Sequence, residues 1–357
     1  MAYVLDGGSG EEYGFTTAIS NFALRAMHES IGLVNLTNVV APTQGNQFLV
    51  PNFQAITYQD YLDTPETSGG WQPYGGNSVI QNPALTQSSI TASPAVATTS
   101  FSIFYGWTTS FQLAATLGAE LGESFAEKVD QRVAQGFLGV NSSMPPDLSS
   151  TTGFKATAGN TYVMAQDGYN RVSALGAMEL APQGALPSAV TAGFTCHTVL
   201  EMIRNVKQNW KVARLPGNPV IVIDSNGNDG VVGSTLNRLL SELTGAAVGG
   251  ASSGGSNLSA LGNELLASGK IENIYGCQVM ATTFLKSVTR TIYELPTTVL
   301  VGAYFGDSAM FTVLKEGLQI KSGEVPGGLQ MWLTGVGYMG SGVGDIRRGG
   351  AINIAQG

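Results

Sequence analysis

The chain is short of charge and of cysteine. Its 357 residues include 17 basic and 25 acidic residues, 12% of the total, where soluble domains usually have about 25%. The formal net charge of −8 excludes a general nucleic-acid-binding role, which needs a basic surface. Two cysteines, Cys196 and Cys277, are too few for a disulfide framework and indicate a reducing compartment.

Long apolar runs are missing as well. No stretch reaches the roughly 18 apolar residues of a membrane span, so no contact with a membrane is expected. The first residues lack the basic and apolar regions of a signal peptide, and none is expected. About 16 residues precede the first predicted helix, so no fused N-terminal scaffolding region is expected.

Apolar residues and glycine, in contrast, are plentiful. Hydrophobic residues make up 43% of the chain, and glycine supplies 47 residues, close to twice its usual share. A free monomer of this size needs surface charge to remain soluble. The combination therefore predicts that much of the surface is covered by other protein.

The few charges are unevenly distributed. No lysine or arginine occurs between Arg25 and Lys128, an interval of 102 residues that contains seven acids. One interpretation is chance in a polar, strand-rich segment. The other is a segment that lies on neighbouring subunits, where ordering and desolvating lysines would be costly.

The first 110 residues predict an arm, a helix and a long hairpin. Residues 1–16 are rich in glycine, residues 17–31 have helical spacing ended by Gly32, and Leu33 to Val40 resembles a strand. Residues 41–110 contain two alternating stretches, Phe48 to Tyr58 and Ile90 to Trp107. We expect a two-stranded excursion, which has little core of its own and needs a surface to lie on.

Residues 111–139 predict one long helix. Apolar residues recur every four positions and form a stripe that winds slowly around the helix: Leu117, Leu121, Phe125, Val129, Val133 and Phe137. Glycines at 118, 122 and 136 each cost about 1 kcal/mol in a helix. They are tolerable only if close packing requires them.

The remainder predicts short strands, then an α/β segment, then more strands. Residues 140–190 break into turns and short strands, and residues 191–300 contain a helix opened by the capping box Thr198–Glu201 and a buried strand over 220–223. Two leucine-rich helices are expected at about 233–244 and 257–268, joined by a Gly/Ser-rich loop. Residues 298–357 return to strands and glycine-rich turns.

A possible nucleophile, Ser252, lies in the sequence Gly250-Ala251-Ser252-Ser253-Gly254. An α/β-hydrolase needs a histidine later in the chain, but His28 and His197 both come earlier. We expect a flexible loop here. Replacement of Ser252 in an esterase assay would test the hydrolase alternative.

Other motifs also lack their required surroundings. Gly335 to Gly340 matches G-x-G-x-x-G, but only 17 residues follow, too few for a dinucleotide site, so a turn between strands is expected. Asp224 to Asp229 resembles a calcium loop but has Asp229 and Thr235 where glycine and glutamate are needed. Cys196 and His197 have no spaced metal-ligand partners. We therefore predict no catalytic, cofactor-binding or metal residues and no cofactor.

The order of parts resembles the major capsid protein of tailed bacteriophages, the Hong Kong 97-type fold. Three segments resemble parts of that family: Phe111 to Gly139 its spine helix, Lys270 to Val279 its G-x-I-x-x-I-x-G-x-x-V turn, and Val301 to Gly306 a strand near the return to its peripheral domain. The similarity in order extends over nearly the whole chain.

The resemblance implies an α+β fold in five regions. These are an N-terminal arm (1–40), an extended two-stranded loop (41–110), a long spine helix with a peripheral domain (111–190), an inserted α/β axial domain (191–300) and return strands of the peripheral domain (301–357). It also implies homopentamers and homohexamers in an icosahedral head assembled in the host cytoplasm. Separate scaffolding, portal and cement or decoration proteins, and double-stranded DNA enclosed without sequence-specific binding, are further implications.

Two alternatives to a phage capsid also fit the sequence. An encapsulin-type nanocompartment shares the fold but encloses protein, and the long hairpin argues mildly against it. A tail or decoration protein also suits low charge and glycine-rich strands, but seldom has so long a helix.

Overall fold

A computed structural model describes part of the chain: residues 21, 23, 25, 32–42, 45–53, 85–137, 162–164, 170–172, 177–182, 196–213, 215–225, 235–244, 270–292, 295–324, 330–345 and 348–355. The predicted arm of residues 1–16, the Gly/Ser-rich loop and the helix at 257–268 lie outside these residues. The helical elements are a 3-10 turn Leu33–Leu36, α1 Ile103–Gly136, α2 Val199–Val212 and α3 Thr235–Thr244.

Strands make up most of the remaining described residues. They are β1 Asn38–Val40, β2 Gln47–Phe53, β3 Leu85–Thr91, β4 Ser93–Ser102, β5 Tyr162–Met164, β6 Asn170–Val172, β7 Met178–Leu180, β8 Val220–Asp224, β9 Lys270–Ile274, β10 Cys277–Thr282, β11 Lys286–Ile292, β12 Leu295–Phe305, β13 Met310–Glu324, β14 Gln330–Val343 and β15 Gly349–Ala355. The α+β class is therefore confirmed.

Two sheets organise these strands. A four-stranded sheet has the order β1-β13-β14-β4, and a seven-stranded sheet has the order β7-β15-β12-β8-β10-β9, with β11 paired to β12. Two ribbons, β2-β3 and β5-β6, stand apart from them in pairing. The long strand β14 pairs with β13 on one side and with β4 on the other.

The predicted stripe of the long helix is buried except at its first residue, Leu117, which is half-buried. Leu121, Phe125, Val129, Val133 and Phe137 are all less than 9% exposed. The helix begins at Ile103, however, and not at residue 111. Ile103, Trp107 and Phe111 are themselves spaced by four, so the apparent alternation that predicted a strand as far as Trp107 also fits a helix.

Two further strand predictions need correction. The segment from Leu33 to Val40 is a 3-10 turn followed by the three-residue strand β1. The alternating stretch from Ile90 divides at Ala92, so that β3 pairs with β2 whereas β4 pairs with β14. The second half of the predicted hairpin therefore belongs to the four-stranded sheet.

The α/β segment follows the sequence closely. Glu201 N donates to Thr198 Oγ1 at 3.1 Å, as a capping box requires, and the Glu201 carboxylate accepts from His197 N at 2.9 Å. The apolar face of α2 is buried: Val199, Met202, Ile203, Val206 and Trp210. Strand β8 lies between β12 and β10, with four of its five residues buried.

Candidate assembly surfaces

Glycines in β14 allow the long helix to lie directly on the four-stranded sheet. A Cβ added at Gly337 would lie 2.2 Å from Cε2 of Phe125, and one added at Gly335 would lie 3.6 Å from Cδ2 of Leu121. Since side chains alternate along a strand, the odd-numbered positions of β14 face α1. The turn predicted over Gly335 to Gly340 is therefore wrong, because these glycines lie inside strand β14, where Gly335 and Gly337 accommodate the helix.

Two glycines of the helix have the packing role that the sequence required of them. A Cβ at Gly122 would lie 2.1 Å from the carbonyl oxygen of Ala23, in the N-terminal segment, and one at Gly136 would lie 3.2 Å from the backbone of Ser341. These contacts bring backbone against backbone. The cost of glycine in a helix is offset by the close approach that it permits.

A buried carboxylate attaches the end of the N-terminal segment to the long helix. Asp130 accepts backbone N–H groups from Gly32 at 3.0 Å, Leu33 at 3.0 Å and Val34 at 3.2 Å. Burial raises the pKa of Asp130 above its usual 3.8, although the three N–H donors act in the opposite direction. The contacts stabilise the 3-10 turn that replaces the predicted strand at Leu33.

Arg132, two residues beyond Asp130, attaches the helix to two strands of the sheet. Its guanidinium donates to the carbonyl oxygens of Ser93 at 2.7 Å, Pro94 at 3.0 Å and Met339 at 2.6 Å. Desolvation lowers the pKa of this arginine from its usual value. No motif in the sequence pointed to Asp130 or Arg132, although a charged residue beside an apolar helical stripe is a signal of such a buried contact.

The base of the β2-β3 ribbon rests on the end of the four-stranded sheet. A small core forms there from Val50, Ile90, Ala92 and Val313, and the rings of Phe48 and Phe311 lie 5.8 Å apart. Lys315 Nζ donates to Asn46 Oδ1 at 2.7 Å. The ribbon thus leaves the sheet from a fixed base.

A buried ion pair within α3 contacts the start of α2. Arg238 Nε and Glu242 Oε1 lie 3.4 Å apart, and each side chain is 7% exposed. The Glu242 carboxylate accepts from Val199 N at 2.9 Å and Leu200 N at 2.8 Å, so a residue of α3 caps the N-terminus of α2. Arg238 also donates to the carbonyl oxygens of Ala181 and His197; its pKa is lowered chiefly by burial.

An open groove of about 440 Å³ runs between α1 and the strand β4. Apolar residues at its surface include Ala95, Ala97, Leu121 and Phe125. The charged residues that line it are Glu127, Lys128 and Arg132. The close fit of α1 on the β14 glycines leaves β4 beyond the flank of the helix, and the groove is the space between them.

The residues considered for catalysis or metal binding do not converge in the described part of the chain. Cys196 is buried beside Asn205 Nδ2, 3.4 Å from its Sγ. Burial raises the pKa of Cys277 to about 11, which suppresses the reactive thiolate. Among the described residues no group of three metal-ligating side chains occurs; Ser252, His28 and the segment 226–229 lie outside them.

The helices within the described ranges include none that is long and apolar enough to cross a membrane. The longest, α1, carries charged residues along its exposed side, among them Glu120, Glu123, Glu127 and Lys128.

Comparison with known proteins identifies the fold. No family model and no curated protein matches the chain, but solved structures do. A chain from the asymmetric unit of the bacteriophage PhiM1 mature capsid has a TM-score of 0.52 at 12% identity, covering 91% of this chain and 87% of that chain. The capsid of an empty GTA particle has a TM-score of 0.53 at 14% identity, covering 91% and 97%.

The capsid of a native GTA particle is similar as well, with a TM-score of 0.51 at 13% identity and coverage of 94% and 91%. Each match extends over nearly all of both chains. The chain therefore has the fold of bacteriophage major capsid proteins, and the resemblance stated from the sequence is confirmed for the fold.

Proposed function

We propose that the chain is the structural subunit of an icosahedral bacteriophage head. The observation that supports this most strongly is the match in fold to capsid subunits over 91% of the chain. The low charge, 12% of residues against 43% hydrophobic residues, is independent support, because a shell subunit buries much of its surface against its neighbours.

In this proposal the subunits form pentamers and hexamers of a virion shell assembled in the bacterial cytoplasm. The part of residues 41–110 that precedes β4 lies over a neighbouring subunit, and residues 191–300 meet at the capsomer centres. Each contact can be weak because many act together. Separate scaffolding, portal and cement or decoration proteins complete the particle.

The shell encloses double-stranded DNA without reading its sequence. A net charge of −8 suits this role, because an inner surface without excess positive charge does not trap the DNA as it enters. The subunit acts through its shape and contacts, and no catalytic step is proposed.

Purification of the full chain tests the assembly. We expect sedimentation of large particles and closed shells in negative-stain micrographs. A clean monomer at high concentration in the ultracentrifuge would contradict the proposal.

The contents of particles isolated from their natural source test the choice between a phage head and a nanocompartment. Nuclease-protected double-stranded DNA inside the shell is the expected result. A single enclosed protein and no DNA would favour the encapsulin-type alternative.

A further inference from the structure

One edge of the four-stranded sheet is long and lacks the usual protection against strand addition. β4 pairs with β14 without a register shift from Ser93, opposite Met339, to Ser102, opposite Gln330. Within the described part of the chain, no strand pairs with the other edge of β4. Its sequence, SPAVATTSFS, contains no charged residue, whereas exposed edges are normally blocked by lysine, proline or a bulge.

One end of this edge is closed. Pro94 has no N–H to donate, and Arg132 already binds the carbonyl oxygens of Ser93 and Pro94. The unprotected part therefore begins at Ala95 and runs toward Ser102. At 3.3–3.4 Å per residue, it is long enough for a strand of ordinary length.

The surroundings of the edge suit a strand added beside it. The groove against α1 lies on the helix side of β4 and includes Ala95, Ala97 and Phe125, so it can receive every second side chain of the added strand. The other side chains would lie next to Val96, which is 61% exposed. Val96 is opposite Val336 and shares the sheet face that points away from α1.

We propose that the outer edge of β4 binds an extended strand from a second copy of this chain. The proposal rests on the proposed function, because a shell holds a neighbouring copy at a fixed, short distance from each edge. It also explains why an uncharged edge of this length is tolerated: in the assembled state it is covered.

Charge favours another copy of this chain as the partner. The charged side chains lining the groove are Lys128, Arg132 and Glu127, which leaves it net positive. The part of each copy between Arg25 and α1, residues 26–102, contains four acids and no lysine or arginine. A strand drawn from that interval brings no positive charge to Lys128 and Arg132.

Hydrogen exchange of the full chain tests the added strand, with assembled particles compared with dissociated subunits. The β4 amides that do not pair with β14 should exchange at least about tenfold more slowly in particles. Amides between β13 and β14, paired in both states, serve as the internal reference. Equal exchange rates of the β4 amides in particles and in dissociated subunits would overturn the inference. This holds whether exchange is fast in both or slow in both because the edge is already paired within one copy.

A matched pair of substitutions gives a second test. Val96→Lys adds a blocking charge to the β4 edge, whereas Val39→Lys makes the same change on β1, the opposite edge of the same sheet, where Val39 is 51% exposed. We expect Val96→Lys to lower the assembled fraction at least about tenfold while the subunit keeps its thermal unfolding temperature. Val39→Lys should assemble like the original chain.

The outcomes separate the two proposals. Assembly of Val96→Lys at the original level, or equal failure of both variants, would overturn the inference about β4. Failure of the unsubstituted chain to form any particle would instead contradict the proposed function. Intact particles with unprotected β4 amides would leave the shell function standing and remove the added strand.

Discussion

The ring of Phe125 occupies the space that a side chain at position 337 would need, with only 2.2 Å between its Cε2 atom and an ideal Cβ there. This contact joins the C-terminal half of the long helix to the middle of β14. It explains why a glycine occurs inside β14, where glycine normally weakens a strand.

Gly337→Ala should therefore destabilise the subunit. The added methyl group must displace a buried ring, which costs about 1–3 kcal/mol in a well-packed core. Gly317→Ala is the control, because a Cβ at Gly317, in β13, meets nothing within 4 Å. Denaturant unfolding of both variants is the measurement, and an equal loss of stability in the two would contradict the contact.

Phe125→Ala tests the same contact from the helix. Phe125 is 7% exposed, and removal of a buried phenylalanine ring costs about 3–5 kcal/mol. We expect a lower free energy of unfolding and loss of assembly. Glu123→Ala, on the exposed side of the helix, is the control, and a Phe125→Ala shell of unchanged thermal stability would count against the assignment.

The two substitutions should also interact. Once the ring is removed, a methyl group at position 337 has room, so Gly337→Ala should cost much less in the Phe125→Ala background. A double-mutant cycle of unfolding free energies measures this coupling. Strict additivity would mean that the two positions do not compete for the same space.

Asp130 is expected to respond differently to loss of charge and loss of its oxygen atoms. Asp130→Ala removes the acceptor of three backbone N–H groups and should cost about 1–3 kcal/mol or more. Asp130→Asn keeps an acceptor oxygen and removes a buried charge, so its effect should be smaller. Urea unfolding compares the two, and a larger loss for Asp130→Asn would contradict this account.

The raised pKa of Asp130 also fixes the sign of a pH effect. Because the folded state holds the proton more tightly than the unfolded state, the contribution of this group is fully present below pH 3.8. It decreases as the pH rises through the folded pKa. The stability of the original chain relative to Asp130→Asn should therefore fall as the pH rises over that range. A relative stability that rises with pH would contradict the raised pKa of Asp130.

Sequence patterns predicted those parts of the fold that depend on residues close together in the chain. The four-residue stripe that includes Val129 and Val133, the capping box at Thr198 and the apolar strand β8 all depend on neighbours within one element. Gly337 in β14 depends on Phe125, more than 200 residues earlier in the chain, and G-x-G-x-x-G read alone therefore gave the wrong element.

The candidate surface at β4 was only partly accessible from sequence for the same reason. Alternation predicted a strand over this segment, but β4 could not be assigned to β14 without the long-range register between Ser93 and Met339. The anchoring roles of Asp130 and Arg132 likewise depend on distant backbone atoms. In each case the residue type was visible in the sequence and its partner was not.

Cys277 provides a test of the core beneath the seven-stranded sheet. This thiol is fully buried, and its pKa is raised to about 11. Iodoacetamide should modify it slowly in the native protein and rapidly after unfolding. Since the folded pKa lies above the usual 9.0, its contribution to stability should decrease as the pH rises from 9.0 toward about 11, and Cys277→Ala should lack that decrease.

The last prediction is that the shell contains no Lys–Asn covalent links between subunits, such as those of the Hong Kong 97 capsid. Such a link needs a desolvated, neutral lysine amine, presented by the extended loop, to attack an Asn side chain of a neighbour. Residues 41–110 contain no lysine, and Lys128, the first after them, lies on α1, with Nζ 3.4 Å from Gln131 Oε1. The shell must then be stabilised by burial, hydrogen bonds, strand pairing or a cement protein. Boiled particles should give one band near 37.1 kDa in denaturing electrophoresis, whereas a ladder of covalent oligomers would reveal a different linking pair.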